Sequence, residues 1–247
     1  MPRSNRRETD DPRRRLLIQA LAAGLYSATL GRARAASPGI FGNRPAKLPE
    51  GQSIYRISGQ VTVNEKEASL DTPIRLGDTV QTGKNSEVVF VVRDHSMIVR
   101  SESQLVIQPQ KDSAAALVVA GLRLLTGKLL SVSKNSQYRI STNTATIGIR
   151  GTGFYVEADP EQTYFCTCYG VAEIEAQNDP DSKETVAAEH HDRPLYIVNT
   201  ASQGNNIRDA PFINHTDQEL ALIETLVGRT PPFVFPKDQY QAPRREY

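Results

Sequence analysis

Cys166 and Cys168 are the residues of this chain best suited to chemistry, because a two-residue separation in an extended run puts both thiols, with Tyr164, on one face. At that spacing the Cα atoms lie near the upper limit for a disulfide, yet the two sulfurs can converge on one soft metal ion. His190, His191 and His215 follow, so three of the four histidines and both cysteines fall within residues 166–215. Thiolate sulfur with imidazole nitrogen is a ligand set suited to zinc or copper. On a strand His190 and His191 point to opposite faces, so one of the pair is expected to join such a site. Three readings of the cysteines stand side by side: ligands of a metal or haem-type site, small apolar core residues, and a redox or intermolecular disulfide role. In the second reading the histidines are surface residues flanking Asp192-Arg193-Pro194.

Enzymatic signatures are missing. Gly-x-Ser-x-Gly and His-Glu-x-x-His do not occur, and Gly148 to Gly153 lacks the Lys-Ser/Thr ending of a phosphate-binding loop. No residue is nominated as catalytic.

The elements that must position these residues are short apolar runs. They include 60–63, 87–92, 97–99, 105–107, 117–119, 129–132, 138–140, 153–157 and 163–169. Turn residues separate them at Gly77-Asp78, Gly83 to Ser86, Arg93-Asp94, Gly127-Lys128, Lys134-Asn135 and Gly170. Many short strands at this spacing predict a mostly β fold, an antiparallel sandwich or roll, with solenoid stacking as the other arrangement. Val88 to Val92 is apolar at successive positions, so that strand is expected to be covered on both faces. Near the C-terminus, Thr216 followed by Glu219 is a capping-box pattern. It opens a short helix with Leu220, Ile223 and Val227 on one face, ended by Gly228 and Pro231-Pro232.

Residues 1–35 read as a twin-arginine signal peptide. Arg13-Arg14-Arg15 precedes Leu16-Leu17-Ile18-Gln19, an apolar stretch runs from Leu16 to Leu30, and Ala33-Arg34-Ala35 is a cleavage pattern. The stretch is shorter than the roughly 20 residues that span a bilayer, so cleavage near Ala35-Ala36 and a periplasmic mature protein are expected, with retention as an anchor the other reading. The leader holds eight arginines and three acidic residues, which leaves the remainder with 21 basic and 25 acidic side chains. The chain's slight basicity therefore belongs to the leader, and nucleic acid is not an expected partner. No later segment approaches bilayer length. Residues 36–52, with three prolines and three glycines, read as a linker. Residues 53–200 then form the β domain with its extension, and residues 201–247 the helix and tail.

Leu76-Gly77-Asp78-x-Val80-x-Thr82-Gly83, with Ser86, Asp94 and Ser96 after it, resembles the first half of a FecR domain. Thr142-x-Thr144-Ala145-x-Ile147-x-Ile149-Arg150-Gly151-Thr152-x-Phe154 resembles its most diagnostic stretch, and Gly170-Val171 with Ile174 its closing strand. The resemblance runs over about residues 57–176. The residues themselves read first as structure: Gly77-Asp78 a tight turn, Thr82-Gly83 and Gly151-Thr152 turns or close backbone approaches. Arg150 stands either on the solvent face or buried against a carboxylate such as Asp78. The resemblance implies a periplasmic sensor that relays a signal through a membrane helix to a sigma-factor pathway. Here a signal peptide stands in that helix's place, so direct sigma-factor control is not expected. What carries over is an exported, non-enzymatic module that binds an envelope protein or ligand.

Overall fold

Alternation of apolar residues builds more than half of the described residues into strands. The computed structural model describes residues 45–109, 119–133, 137–199 and 204–233. The expected signal peptide, Leu117-Val118 of one expected strand and the tail from Val234 lie outside the described residues. First come β1 (Ile54–Ser58), β2 (Val61–Val63), β3 (Lys66–Glu67), β4 (Thr79–Thr82), β5 (Glu87–Val92), β6 (His95–Val99) and β7 (Gln104–Pro109). Next are β8 (Val119–Ser133), β9 (Gln137–Ser141), β10 (Ala145–Ala158) and β11 (Gln162–Ala176). β12 (Asp179–Ala188), β13 (Leu195–Val198), β14 (Ile207–Asp209) and a helix, α1 (Asp217–Leu226), complete the order. Among the described residues the fold is mostly β with one short helix, as the sequence pattern predicts.

Three strands are far longer than their apolar runs suggested: β8 and β11 have 15 residues and β10 has 14. Each changes partners half-way. The first half of β8 pairs with β7 and, in parallel, with β9, and its second half pairs with β6 and β10. The first half of β10 lies against β9 and the second half of β11, and its second half against β8 and the first half of β11. One continuous sheet thereby folds over a core that takes Leu122, Leu129, Ile147, Phe154, Phe165 and Ile174.

The glycines read as turns are what make this fold-over work. Along β8, Leu122 and Leu124 face the core at even positions, but beyond Gly127 the core residue is Leu129. Along β10, Ile147 and Ile149 give way, beyond Gly151, to Phe154 and Val156. Along β11, Phe165 gives way, beyond Gly170, to Ala172 and Ile174. All three glycines have positive φ: 89°, 60° and 91°. A one-residue irregularity flips side-chain parity, so each strand keeps an apolar face on the core after it bends. Gly127 is tightly constrained, because an added Cβ would lie 2.4 Å from the Ser103 Cα. Gly127→Ala is therefore expected to destabilise the protein by about 1–3 kcal/mol, read as a lower urea midpoint. A change within 0.5 kcal/mol would show that the bend does not need glycine.

A second apolar layer covers the outer face of the same sheet. Val89, Ile98, Leu130 and Val132 meet Leu220, Ile223 and Leu226 of α1, while Tyr155, Tyr164, Cys166 and Cys168 extend the layer across β10 and β11. β5 is thus covered on both faces, since Val88 and Phe90 enter the first core and Val89 the second. At the start of α1, the Thr216 hydroxyl accepts from the Glu219 N–H, and the Glu219 carboxylate accepts from the Thr216 N–H at 2.9 Å. The end of the expected linker touches the other terminus: Leu48 N–H donates to the Leu226 carbonyl at 2.9 Å.

Candidate functional site

In the first half of β11 alternation splits the side chains cleanly. Phe165 turns into the first core, and Tyr164, Cys166 and Cys168 turn into the second. Both cysteines are free and fully buried. Two later segments bring imidazoles to them. The His191 N–H donates to the Cys168 carbonyl at 3.0 Å, and His191 has a left-handed φ of 55°. Asn214, with φ of 64°, turns the chain just before His215 and the cap of α1.

The result is a compact group of four. Cys166 Sγ lies 3.5 Å from His191 Nδ1, Cys168 Sγ lies 3.4 Å from His215 Nε2, and the two ring nitrogens are 3.2 Å apart. All four atoms fall within 4.8 Å of one another, and all four residues are buried. The Tyr155 ring stacks on His215 with centroids 4.6 Å apart, and Phe212 packs on both imidazoles.

Each imidazole is oriented from behind. The Asp217 carboxylate takes His191 Nε2 at 3.0 Å, and the Ile213 carbonyl takes His215 Nδ1 at 2.8 Å. Both partners only accept, so the outer nitrogens carry the protons and His191 Nδ1 and His215 Nε2 turn toward the sulfurs. Burial pushes the Cys166 thiol up, but hydrogen bonding from Cys168 and the neighbouring imidazoles outweighs it and holds the group well below its ordinary value. Burial, reinforced by the Cys166 sulfur, pushes Cys168 well above it. Burial lowers His191, and hydrogen bonding and charge at Cys166 and Asp217 more than reverse this.

His190 stands one step out. Its Nε2 donates to the same Asp217 carboxylate at 3.0 Å, and it is part-exposed. The expectation that His190 and His191 point to opposite faces fails here. The pair lies in bends after β12 rather than in a strand, and the left-handed turn at His191 aims both rings at Asp217. Asp217 itself went unnoticed in the sequence, where it looks like an ordinary acidic residue in the first turn of a helix. The residues behind the group are equally well held. The Arg100 guanidinium donates to the Asn214 carbonyl and to Glu219 at 2.7 Å, and lies over the Tyr155 ring.

The motif residues are elsewhere. Gly77, with φ of 93°, and Asp78 form a turn in which the Asp78 carboxylate accepts from Arg75 N–H and Asn64 Nδ2, both at 2.7 Å. The Thr82 hydroxyl accepts from Ser103 N–H at 3.0 Å, and Gly83 N–H donates to the Gln60 carbonyl at 2.9 Å. Gly151 and Thr152 lie inside β10 at its bend. Arg150 is on the solvent face and pairs with Glu173 at 2.7 Å, not with Asp78. Beside it are two grooves of about 320 and 490 Å³, which share Arg139, Gly148 and Glu173.

Residues 78–173 match the family model described as FecR protein. That span is under half of the chain, and it includes both cysteines but neither His191 nor His215. No curated protein matches. Among solved structures, similarity is found to a candidate anti-sigma factor from Parabacteroides distasonis ATCC 8503, solved at 2.50 Å. It has 12% identity and a TM-score of 0.42, with 53% of this chain and 58% of that one covered, so the match spans less than two thirds of its length. A second such structure from the same organism, at 1.65 Å, has 12% identity and a TM-score of 0.44 over 67% and 82% of the two chains. No helix among the described residues is long and apolar enough to cross a membrane.

Proposed function

We propose that this chain is an exported, non-enzymatic recognition module of the FecR type, acting in the periplasm by docking a protein partner. Residues 1–35 serve as its twin-arginine signal peptide and 36–52 as a linker, 53–200 form the module, and 201–247 its helix and tail. The observation that carries this reading is the FecR match over residues 78–173, whose Arg150 is 57% exposed at the side chain rather than used in the core. Its pair with Glu173 is also half-exposed, and such pairs add little stability. The exposed charge is thus free to serve recognition, and the grooves shared by Arg139, Gly148 and Glu173 give that face relief and mixed charge.

A photo-crosslinking residue at position 150, in cells, is expected to trap one discrete partner in the periplasmic fraction. The same residue at Leu70, which is 51% exposed, is expected to trap none. The mature chain should begin near Ala36. Equal trapping at the two positions would remove the recognition face, and a cytoplasmic chain with an intact leader would remove the export.

A further inference from the structure

The buried group of two thiols and two imidazoles has a geometry that the recognition reading does not use. We propose that Cys166, Cys168, His191 and His215 are the four ligands of one tetrahedral zinc ion, which fastens the segment before α1 to the FecR-matched sheet.

Zinc bonds of about 2.3 Å to sulfur and about 2.05 Å to nitrogen, set at tetrahedral angles, require edges of about 3.6 Å from sulfur to nitrogen and about 3.4 Å between nitrogens. Three of the six edges are 3.5, 3.4 and 3.2 Å, each within about 0.2 Å of these values, and all six lie within 4.8 Å.

His191 Nδ1 and His215 Nε2 face each other with their lone pairs inward, because Asp217 and the Ile213 carbonyl take the other two nitrogens as donors. Only the two thiol protons lie between them. A dication replaces both protons, turns both thiols into thiolates and gives four lone pairs one common target. A carboxylate and a carbonyl behind the imidazoles are the usual supports of zinc-bound histidine.

Charge then selects the ion. Two thiolates cancel a divalent charge, leaving a neutral buried centre. Copper(I) would leave a net negative charge in the same apolar layer beside the buried Asp217 carboxylate, an arrangement that burial penalises. Copper(II) prefers a tetragonal geometry, and a closed S2N2 tetrahedron suits zinc. With all four positions filled by protein, the site is structural rather than catalytic. Its ligands come from β11, from the bend after β12 and from the turn before α1, three segments that otherwise meet only through packing and hydrogen bonds.

The test uses the full mature chain, purified reduced with zinc supplied. One zinc per chain is expected, and cobalt(II) in its place should give the sulfur-to-cobalt charge-transfer band and intense visible bands of a tetrahedral thiolate site. Cys166→Ser/Cys168→Ser and His215→Ala should lose the ion, and His190→Gln should keep it in full. Asp217→Ala should weaken zinc binding about 10–100-fold without changing the 1:1 ratio, as expected of a positioning residue. Because a cysteine variant can fail to fold, the cobalt spectrum of the unmutated chain is decisive alone. Reduced, zinc-supplied protein without stoichiometric metal, or cobalt bound without charge transfer, overturns the site. Preferential retention of copper(I) over zinc overturns the choice of ion. The crosslinking at position 150 reads a different face, so either proposal can fail without the other.

Discussion

Lowering the pH from 7 to 4 is expected to remove roughly 3 kcal/mol of stability from this protein through His95 alone. Its side chain is fully buried on β6, edge-on to the Tyr138 ring at 4.7 Å. Neither ring nitrogen has a hydrogen-bond partner among the described residues, although Asp94 comes within 3.4 Å of Nε2. Burial holds the pKa down to about 4 from 6.5, opposed by the Asp94 charge and assisted by that of Arg229. The unfolded chain therefore binds a proton that the folded chain refuses between these values. The stabilisation is complete above about 6.5 and is lost as pH falls through about 4. The shift is a large share of a typical folding free energy. His95→Leu removes the titrating group, so urea unfolding of the wild type should lose roughly 3 kcal/mol more than the variant between pH 7 and 4. Carboxylates common to both chains cancel in that difference. A gap independent of pH would mean that the folded chain protonates His95 as readily as the unfolded chain does.

The same physical features decide what could be read from the sequence. Alternation showed the β class and the shared face of Cys166 and Cys168, because a period of two depends only on neighbours. The capping box at Thr216 and Glu219 was equally local. The long strands were hidden because Gly127, Gly151 and Gly170 punctuate the sequence as turns do, yet act as parity switches inside β8, β10 and β11. That distinction depends on what each half-strand pairs with, which is a long-range property. Pairing His190 and His191 on one carboxylate was likewise invisible, since it requires the left-handed turn at His191 and the arrival of Asp217 from a distant segment. Arg150 allowed two placements in sequence, and the partner that separates them, Glu173, lies across the β10–β11 pairing.

Phe154→Ala, at the end of that diagnostic stretch, is expected to cost about 3–5 kcal/mol, whereas Arg150→Ala should cost no more than about 1 kcal/mol. Phe154 is fully buried in the second half of β10, between Ser131 of β8 and Thr167 of β11 in register. Its ring stacks on Phe165 with centroids 5.7 Å apart and reaches Tyr138 at 6.4 Å. Three surrounding strands fix these neighbours, so the void left by alanine cannot collapse without breaking register, and the cavity adds to the lost transfer energy. Arg150, four residues earlier, sits beyond the Gly151 bend with its charge in solvent. One motif thus combines a residue that folds the sheet with a residue whose charge stands at the surface. Denaturation of both variants, set beside crosslinking at position 150, separates the two roles. A Phe154→Ala loss as small as that of Arg150→Ala would show that the core at the bend is loosely packed. A large loss for Arg150→Ala would return that arginine to a structural role and take away the face proposed for recognition.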